Sequence, residues 1–232
     1  MFAETKNVNV RNSCSSLPRG AIKHVMRALD WIHPVDLDGI AFVELMDEMP
    51  EELVNAVERR RHARKEGFSF NGIYMSKLET EPAHIMLFIR DIYRGIPKIF
   101  ELTTVPTLLI CRTVAHEVGH HLVAKQGYIF QPDERYGKFE YEEEMANRYA
   151  FQVLKRMNKR WRYKIGSWLS RRIASSHFIS GLADWEQKKY ERAAERWYRT
   201  WLLDPDREDA VAWYWHAKKV IEGVEVPRAI KY

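Results

Sequence analysis

Cysteine is scarce in this chain, and long apolar runs are absent from it. Cys14 and Cys111 are the only two cysteines among 232 residues and neither belongs to a CxxC pair, which argues against a disulfide framework and a cysteine zinc site. The N-terminal segment lacks the apolar stretch of a secretory signal, and no apolar run approaches the roughly 18 residues of a membrane span. We therefore expect a cytoplasmic protein in a reducing setting, without membrane contact.

Strong charge of one sign is also missing. The formal net charge is +5, with 46% hydrophobic and 30% charged residues, which are ordinary values for a globular protein. A basic excess this mild does not by itself indicate a nucleic-acid partner, and none is expected. The length suits one domain, or one domain with a small appendage.

The N-terminal third of the chain alternates between helix and strand signals. Residues 1–18 are polar and predict a disordered leader. Apolar positions at helical spacing predict a helix from Ala21 to Trp31, and the apolar segment Gly39 to Leu45 predicts a strand. Residues 51–66 fit either a short amphipathic helix or a charged connection within a sheet.

Further strands precede a series of helices. The segment Phe68 to Met75 includes Asn71-Gly72 and predicts extended chain, and His84 to Ile92 predicts another strand. Helices are predicted from Thr107 to Lys125 and from Phe139 to Asn158. Residues 160–220 are helical in pattern almost throughout. Strands early and helices late predict an α+β fold with a helical C-terminal appendage.

The helix predicted from Thr107 carries the segment His116-Glu117-Val118-Gly119-His120. Histidines four residues apart lie one turn apart on the same helix face, so both ring nitrogens can bind one zinc ion at about 2.0–2.1 Å. Glu117 points to the side of that face. Its expected role is general base toward a zinc-bound water and then proton donor to the leaving amine.

A catalytic zinc usually has three protein ligands and one open position. The favoured third ligand is Glu143 on the next predicted helix, because Asn147 lies one turn further on the same face and can hydrogen-bond a ligand histidine. Glu140, Glu142 and Glu144 compete with Glu143, and Glu144 is the strongest rival. Gly119 is expected to keep the helix surface low beside the site, and the small side chain of Ala146 is expected to let the two helices approach closely.

The segments HEVGH and EEMANRYA together resemble the gluzincin metallopeptidases. More narrowly they are similar to the ImmA/IrrE family, with its HELGH and ExxA(D/N)xFA pattern. The resemblance covers roughly residues 38 to 157. It implies a zincin-like domain, with a small mixed sheet whose edge strand lies beside the substrate.

The resemblance also implies an activity. His116, His120 and Glu143 match the zinc ligands of the family, and Glu117 matches its catalytic glutamate. The implied function is a zinc-dependent endopeptidase that cleaves a protein substrate, with transcriptional regulators among the candidates. We expect the peptidase domain to span residues 19–160 and the appendage to span residues 161–232.

Two further roles near the motif stay open. His121 points about 100° away from His120 around the helix and is expected to be a flanking residue rather than a fourth ligand. The tetrahedral intermediate of peptide hydrolysis needs a donor to its oxyanion. Tyr128, Tyr136 and His177 are candidates for that donor, and the sequence does not choose among them.

The segment from Arg156 to Arg172 is basic and contains Trp161, Tyr163 and Trp168. Such a pattern can bind a phosphate backbone or an acidic protein. The favoured interpretation is a helix whose cations face water while its aromatic side chains pack inward.

The C-terminal segment has the spacing of a tetratricopeptide (TPR) helix pair, with Gly181 on the first helix and Ala193 and Trp197 on the second. One and a half units favour a TPR-like hairpin docked on the peptidase domain. The aromatic side chains of this appendage form either core or a partner-binding surface. The alternative function is accordingly a non-catalytic binding or scaffold protein with a structural or vestigial metal site.

Overall fold

The computed structural model describes residues 8–50, 71–76, 82–126, 135–204 and 207–227. The strands are β1 (Asn9–Asn12), β2 (Phe42–Met46), β3 (Gly72–Met75) and β4 (His84–Phe88). The helices are α1 (Ala21–Leu29), α2 (Ile89–Arg94), α3 (Val105–Lys125), α4 (Arg135–Met157), α5 (Trp161–Glu186), α6 (Tyr190–Leu203) and α7 (Glu208–Ile221). Short 3-10 helices lie at Pro34–Leu37 and Lys98–Phe100. The predicted α+β arrangement, with strands early and helices late, is confirmed.

The four strands form one small mixed sheet in the order β1-β2-β4-β3. The pairs β1/β2 and β2/β4 are parallel, whereas β3 runs antiparallel to β4. Every residue of β4 is buried, as expected for an inner strand covered on both faces. β3 forms one edge of the described sheet, and it packs against α3.

β1 lies in the segment that was predicted to be a disordered leader, so that prediction is wrong for residues 9–12. The strand pairs with β2, and the chain beyond it is held by polar contacts: Ser13 Oγ donates to Glu44 and the Ser15 backbone amide donates to Asp47. The strand is mostly exposed, so its sequence lacks the apolar alternation that marks a half-buried strand. Residues 1–7 lie outside the described ranges.

The strand predicted from His84 to Ile92 ends earlier, at Phe88, and continues as helix α2. The buried residues of α2 are Ile89, Ile92 and Tyr93. Their spacing of three and four residues is that of one helix face, which explains why the apolar run changes conformation without a change in composition. The segment predicted at 51–66 lies outside the described residues.

Helix α3 is the centre of the larger core. Pro106 occupies its first turn, where a missing backbone N–H costs nothing. The helix is buried on nearly its whole circumference and packs against α1, α4 and β3. Such a helix belongs in the interior of a domain. Its central position fixes where the residues of its C-terminal half can point.

Helix α5 connects two hydrophobic clusters. Tyr163 and Ala174 belong to the larger core with the sheet and α3. From Phe178 onward its buried residues join a second cluster with α6 and α7, centred on Trp185 and Trp197. The division between the two clusters therefore falls within α5, and the domain boundary predicted between residues 160 and 161 stays a prediction.

The prediction that the aromatic side chains of the basic segment from Arg156 to Arg172 pack inward is wrong for two of the three. Tyr163 is buried, but Trp161 is 75% exposed and Trp168 is 54% exposed. In α6, Trp197 is fully buried, so this tryptophan is core rather than a binding surface. None of the described helices is long and apolar enough to cross a membrane.

The α5/α6 contact yields a stability test at Gly181. A Cβ atom there would lie 2.6 Å from Nε1 of the buried Trp197. Gly181→Ala should lower the free energy of unfolding by about 1–3 kcal/mol, because an overpacked core must shift to accept the methyl group. Urea denaturation measures the change.

Gly95→Ala is the matched control, since its added methyl group would meet no atom closer than 3.7 Å. We expect it to change stability by less than about 0.5 kcal/mol. Equal losses in the two variants would contradict the close packing of Gly181 on Trp197.

Candidate metal centre

Two histidines on α3 face each other one helical turn apart. His116 Nε2 and His120 Nε2 are 3.1 Å apart, and the two rings stand nearly perpendicular. Both side chains are about one fifth exposed, with accessibilities of 21% and 20%. The motif therefore presents two imidazole nitrogens at one partly open point, as the i,i+4 spacing predicts.

Helix α4 brings a carboxylate to the same point. Glu143 Oε2 lies 3.4 Å from His116 Nε2, and Glu143 Oε1 lies 3.2 Å from His120 Nε2. The two helices meet without intervening side chains, because a Cβ added at Gly119 would lie 2.5 Å from the Cα of Ala146. The close approach predicted from Ala146 is confirmed, and Gly119 is the residue that it meets.

Asn147 supports the first histidine. Its Oδ1 accepts a hydrogen bond from His116 Nδ1 at 3.1 Å. A proton held on Nδ1 leaves the Nε2 lone pair of the neutral ring directed at His120 and Glu143, which is the tautomer that a metal ligand needs. The amide thus orients the imidazole, as predicted from the i,i+4 relation of Asn147 to Glu143.

The spacing of these donors is close to that around a zinc ion. Zinc–ligand distances of about 2.0–2.1 Å in tetrahedral geometry put neighbouring ligand atoms roughly 3.3–3.4 Å apart. The two histidine nitrogens are 3.1 Å apart, and each has a different Glu143 oxygen near it, Oε2 at 3.4 Å from His116 and Oε1 at 3.2 Å from His120. Within the described part of the chain, His116, His120 and Glu143 are the group of three whose ligand atoms lie close enough together to hold one metal ion.

The charges of this site favour a cation. Burial raises the pKa of Glu143, but the hydrogen bonds and charges of His116 and His120 outweigh burial and hold it at about 2. Burial lowers the pKa of His120, and the carboxylates of Glu143, Glu117 and Glu142 more than reverse that effect. Positive charge is therefore stabilised here, whether it is carried by protons or by a metal ion.

Glu117 directly follows His116 on α3 and is 6% exposed. Its Oε2 accepts a 2.8 Å hydrogen bond from the backbone N–H of Tyr74 in β3. The carboxylate is therefore anchored to the edge of the sheet, while its charge still acts on the pKa of His120. The sequence predicted His116, His120 and Glu143 as metal ligands and Glu117 as general base. The structure brings the three predicted ligands together and places Glu117 next to His116 in the chain.

Tyr74 is the site residue that sequence reasoning missed. Its hydroxyl is 3.0 Å from His121 Nδ1, and His121 Nε2 lies 2.9 Å from the backbone oxygen of Asp38. His121 is buried and links β3 to the loop before β2, so its predicted role as a flanking residue is confirmed. No signal in the sequence around Tyr74 indicated this contact, which joins residues 43 or more positions apart.

The other residues considered for the third ligand and for the oxyanion donor do not join the three donors where the structure describes them. Glu144 is exposed and pairs with Arg148, and Glu142 does not join the three-residue ligand group. The His177 ring nitrogen lies 3.4 Å from the backbone oxygen of Gly95, at the end of α2, and so does not face the histidines of α3. Tyr128 and the side chains of Tyr136 and Glu140 lie outside the described residues.

The contact between α3 and α4 can be tested at Gly119. Gly119→Ala should lower the free energy of unfolding by about 1–3 kcal/mol, because the new methyl group overlaps a backbone atom and forces the helices apart. Thermal and urea unfolding of the purified variant measure the loss.

A second substitution sharpens this test. The closest atom to the added Cβ is the Cα of Ala146 rather than its side chain, so Ala146→Gly should not rescue Gly119→Ala. Full recovery of stability in the double variant would contradict the backbone contact.

Comparisons of this chain with known protein families, with curated proteins and with solved structures found no match.

Proposed function

We propose that this protein is a zinc-dependent endopeptidase of the gluzincin type, similar to the ImmA/IrrE metallopeptidases. The observation that carries the proposal is the meeting of His116, His120 and Glu143 at donor distances of 3.1–3.4 Å, with Glu117 at their side. Two histidines and one glutamate leave a zinc ion one open position, which is the pattern of catalytic rather than structural sites.

Each residue has a defined part in this proposal. Zinc held by the three donors would polarise the scissile carbonyl and lower the pKa of water beside it. Glu117 accepts a proton from the attacking water and passes it to the amine that leaves when the peptide bond breaks. Asn147 keeps the Nε2 lone pair of His116 directed into the site.

The edge strand β3 supports a protein substrate bound in extended form. The Phe88 backbone amide donates to the Asn71 carbonyl, so the alternate residues Gly72 and Tyr74 turn their backbone groups away from β4. Glu117 accepts from one of those groups, the Tyr74 N–H, and the other groups lie along the same edge. A substrate strand added along this edge would lie next to the proposed base.

Metal content tests the ligand assignment. Glu143→Ala should lower zinc occupancy from about one ion per chain by tenfold or more at limiting zinc, because it removes one of three ligands. Glu144→Ala is the matched control, since Glu144 is the neighbouring residue but is exposed and paired with Arg148. Elemental mass spectrometry of both variants and the parent measures the occupancy.

Two outcomes would contradict the ligand set. Zinc retained in Glu143→Ala and lost in Glu144→Ala would assign the third ligand to Glu144. A parent protein that takes up no zinc would favour the alternative function, a non-catalytic scaffold that acts through its C-terminal helices.

Proteolysis tests the chemistry separately from the metal. Glu117→Gln should retain zinc but cleave about 10²–10⁴-fold more slowly, because the amide cannot take a proton from water. The probe is a library of unstructured peptides of defined sequence, and mass spectrometry measures the cleavage products. Removal of zinc by 1,10-phenanthroline should stop cleavage by the parent, and added zinc should restore it. Equal cleavage rates in the parent and Glu117→Gln would refute the proposed base.

A further inference from the structure

Helix α5 carries large apolar side chains on its outward face. Trp161, Ile165, Trp168 and Ile179 are 75%, 48%, 54% and 65% exposed, respectively. The opposite face of the same helix, with Tyr163 and Gly166, is buried in the larger core. The helix therefore has an apolar row toward the interior and a second one toward solvent. We call the second row the outer α5 face.

The outer α5 face is narrow and long. At about 100° per residue, its four apolar positions and Arg172 fall within a sector of roughly 60° of the helix circumference. Trp161 and Ile179 are five full turns apart, which separates them by about 27 Å along the axis. Side chains in one narrow row can all touch a planar surface at once, whereas a globular partner would need a matching groove.

Cations flank the N-terminal half of the outer α5 face. Between Glu144 and Asp184 the sequence has no acidic residue, and the segment from Lys155 to Arg172 contains eight Lys and Arg residues. All eight are exposed, and among the described residues no carboxylate forms an ion pair with any of them. Lys164 lines a shallow groove with Trp161, Ile165 and Trp168, so positive charge adjoins the apolar row directly.

We propose that the outer α5 face docks the protein on an anionic membrane surface. Tryptophan and isoleucine enter the boundary between headgroups and acyl chains, and flanking lysine and arginine pair with anionic headgroups. This is a peripheral contact that requires no membrane-spanning helix, and it departs from the expectation, drawn from the sequence, that the protein makes no membrane contact. The inference is independent of the proposed peptidase activity.

Other occupants fit this face less well. A second copy of the chain would bring two sets of like charges together without carboxylates to offset them. A nucleic acid would supply phosphates, but its bases need aromatic ring faces to stack on. Ile165 and Ile179 have none, and the Arg172 guanidinium lies 5.4 Å from the ring centre of Trp168 on one side.

Vesicle binding by the intact chain tests the proposal. We expect the parent to partition about tenfold or more tightly to vesicles containing about one third phosphatidylglycerol than to vesicles of pure phosphatidylcholine. Raising the salt from about 0.1 M to 1 M should weaken that binding strongly, since the screening length falls from about 10 Å to 3 Å. Flotation measures partitioning, and brominated lipids should quench tryptophan fluorescence on binding.

Two double variants separate the apolar and charged contributions. Trp161→Ser with Trp168→Ser, and Lys164→Glu with Arg171→Glu, should each weaken partitioning to anionic vesicles by about tenfold or more. The altered side chains are exposed, so circular dichroism and the unfolding midpoint should stay close to those of the parent.

The matched controls replace exposed apolar residues by serine and exposed cations by glutamate on other surfaces of the protein. Ile99→Ser with Val226→Ser removes two side chains that are 80% and 83% exposed, and Arg19→Glu with Lys23→Glu reverses two exposed cations. If the outer α5 face makes the contact, both control proteins should bind anionic vesicles with an affinity within about twofold of the parent's.

Four results would overturn the proposal. They are no vesicle binding by the parent, equal binding to neutral and anionic vesicles, binding unchanged by the α5 substitutions, and losses as large in the controls. Tighter binding to a single-stranded oligonucleotide than to anionic vesicles, weakened by the same α5 substitutions, would assign this face to nucleic acid instead.

Discussion

The backbone contact between α3 and α4 is the constraint on which the candidate metal centre depends. At Gly119 no room remains for a Cβ atom, so the two helices lie as close together as their backbones permit. That spacing brings Glu143 to within 3.4 Å of both histidines. Asn147, one turn further along α4, reaches His116 by the same approach. A wider crossing would separate the two histidines on α3 from Glu143 and Asn147 on α4.

Consecutive residues of α3 contact different parts of the structure because the helix is packed on several sides. His116 and His120 face α4, while Glu117 and His121 face the edge strand and the loop before β2. Because β3 holds Glu117 through a backbone amide and His121 through the Tyr74 hydroxyl, the sheet edge and the candidate site form one connected unit. Such buried polar contacts position side chains more narrowly than apolar packing alone.

Helix α5 shows that the residue type alone does not decide whether an aromatic side chain is buried or exposed. Tyr163 and Trp161 are two residues apart and similar in hydrophobic character, yet the first is core and the second is exposed. The larger core accepts only the face that carries Gly166 against Thr104 and Leu108. Trp161 and Trp168 stay on the outside, beside exposed cations.

The sequence by itself determined the local relations. Helical periodicity places His116 with His120, and Glu143 with Asn147, because residues four apart share a helix face whatever surrounds them. It also predicted most helices and the small side chains at the helix contact. Only the tertiary structure decided that Asn9–Asn12 joins the sheet, that Tyr74 holds Glu117, and that Trp161 faces outward. These relations link segments far apart in the chain, and their energies depend on which surfaces meet, which local periodicity does not encode.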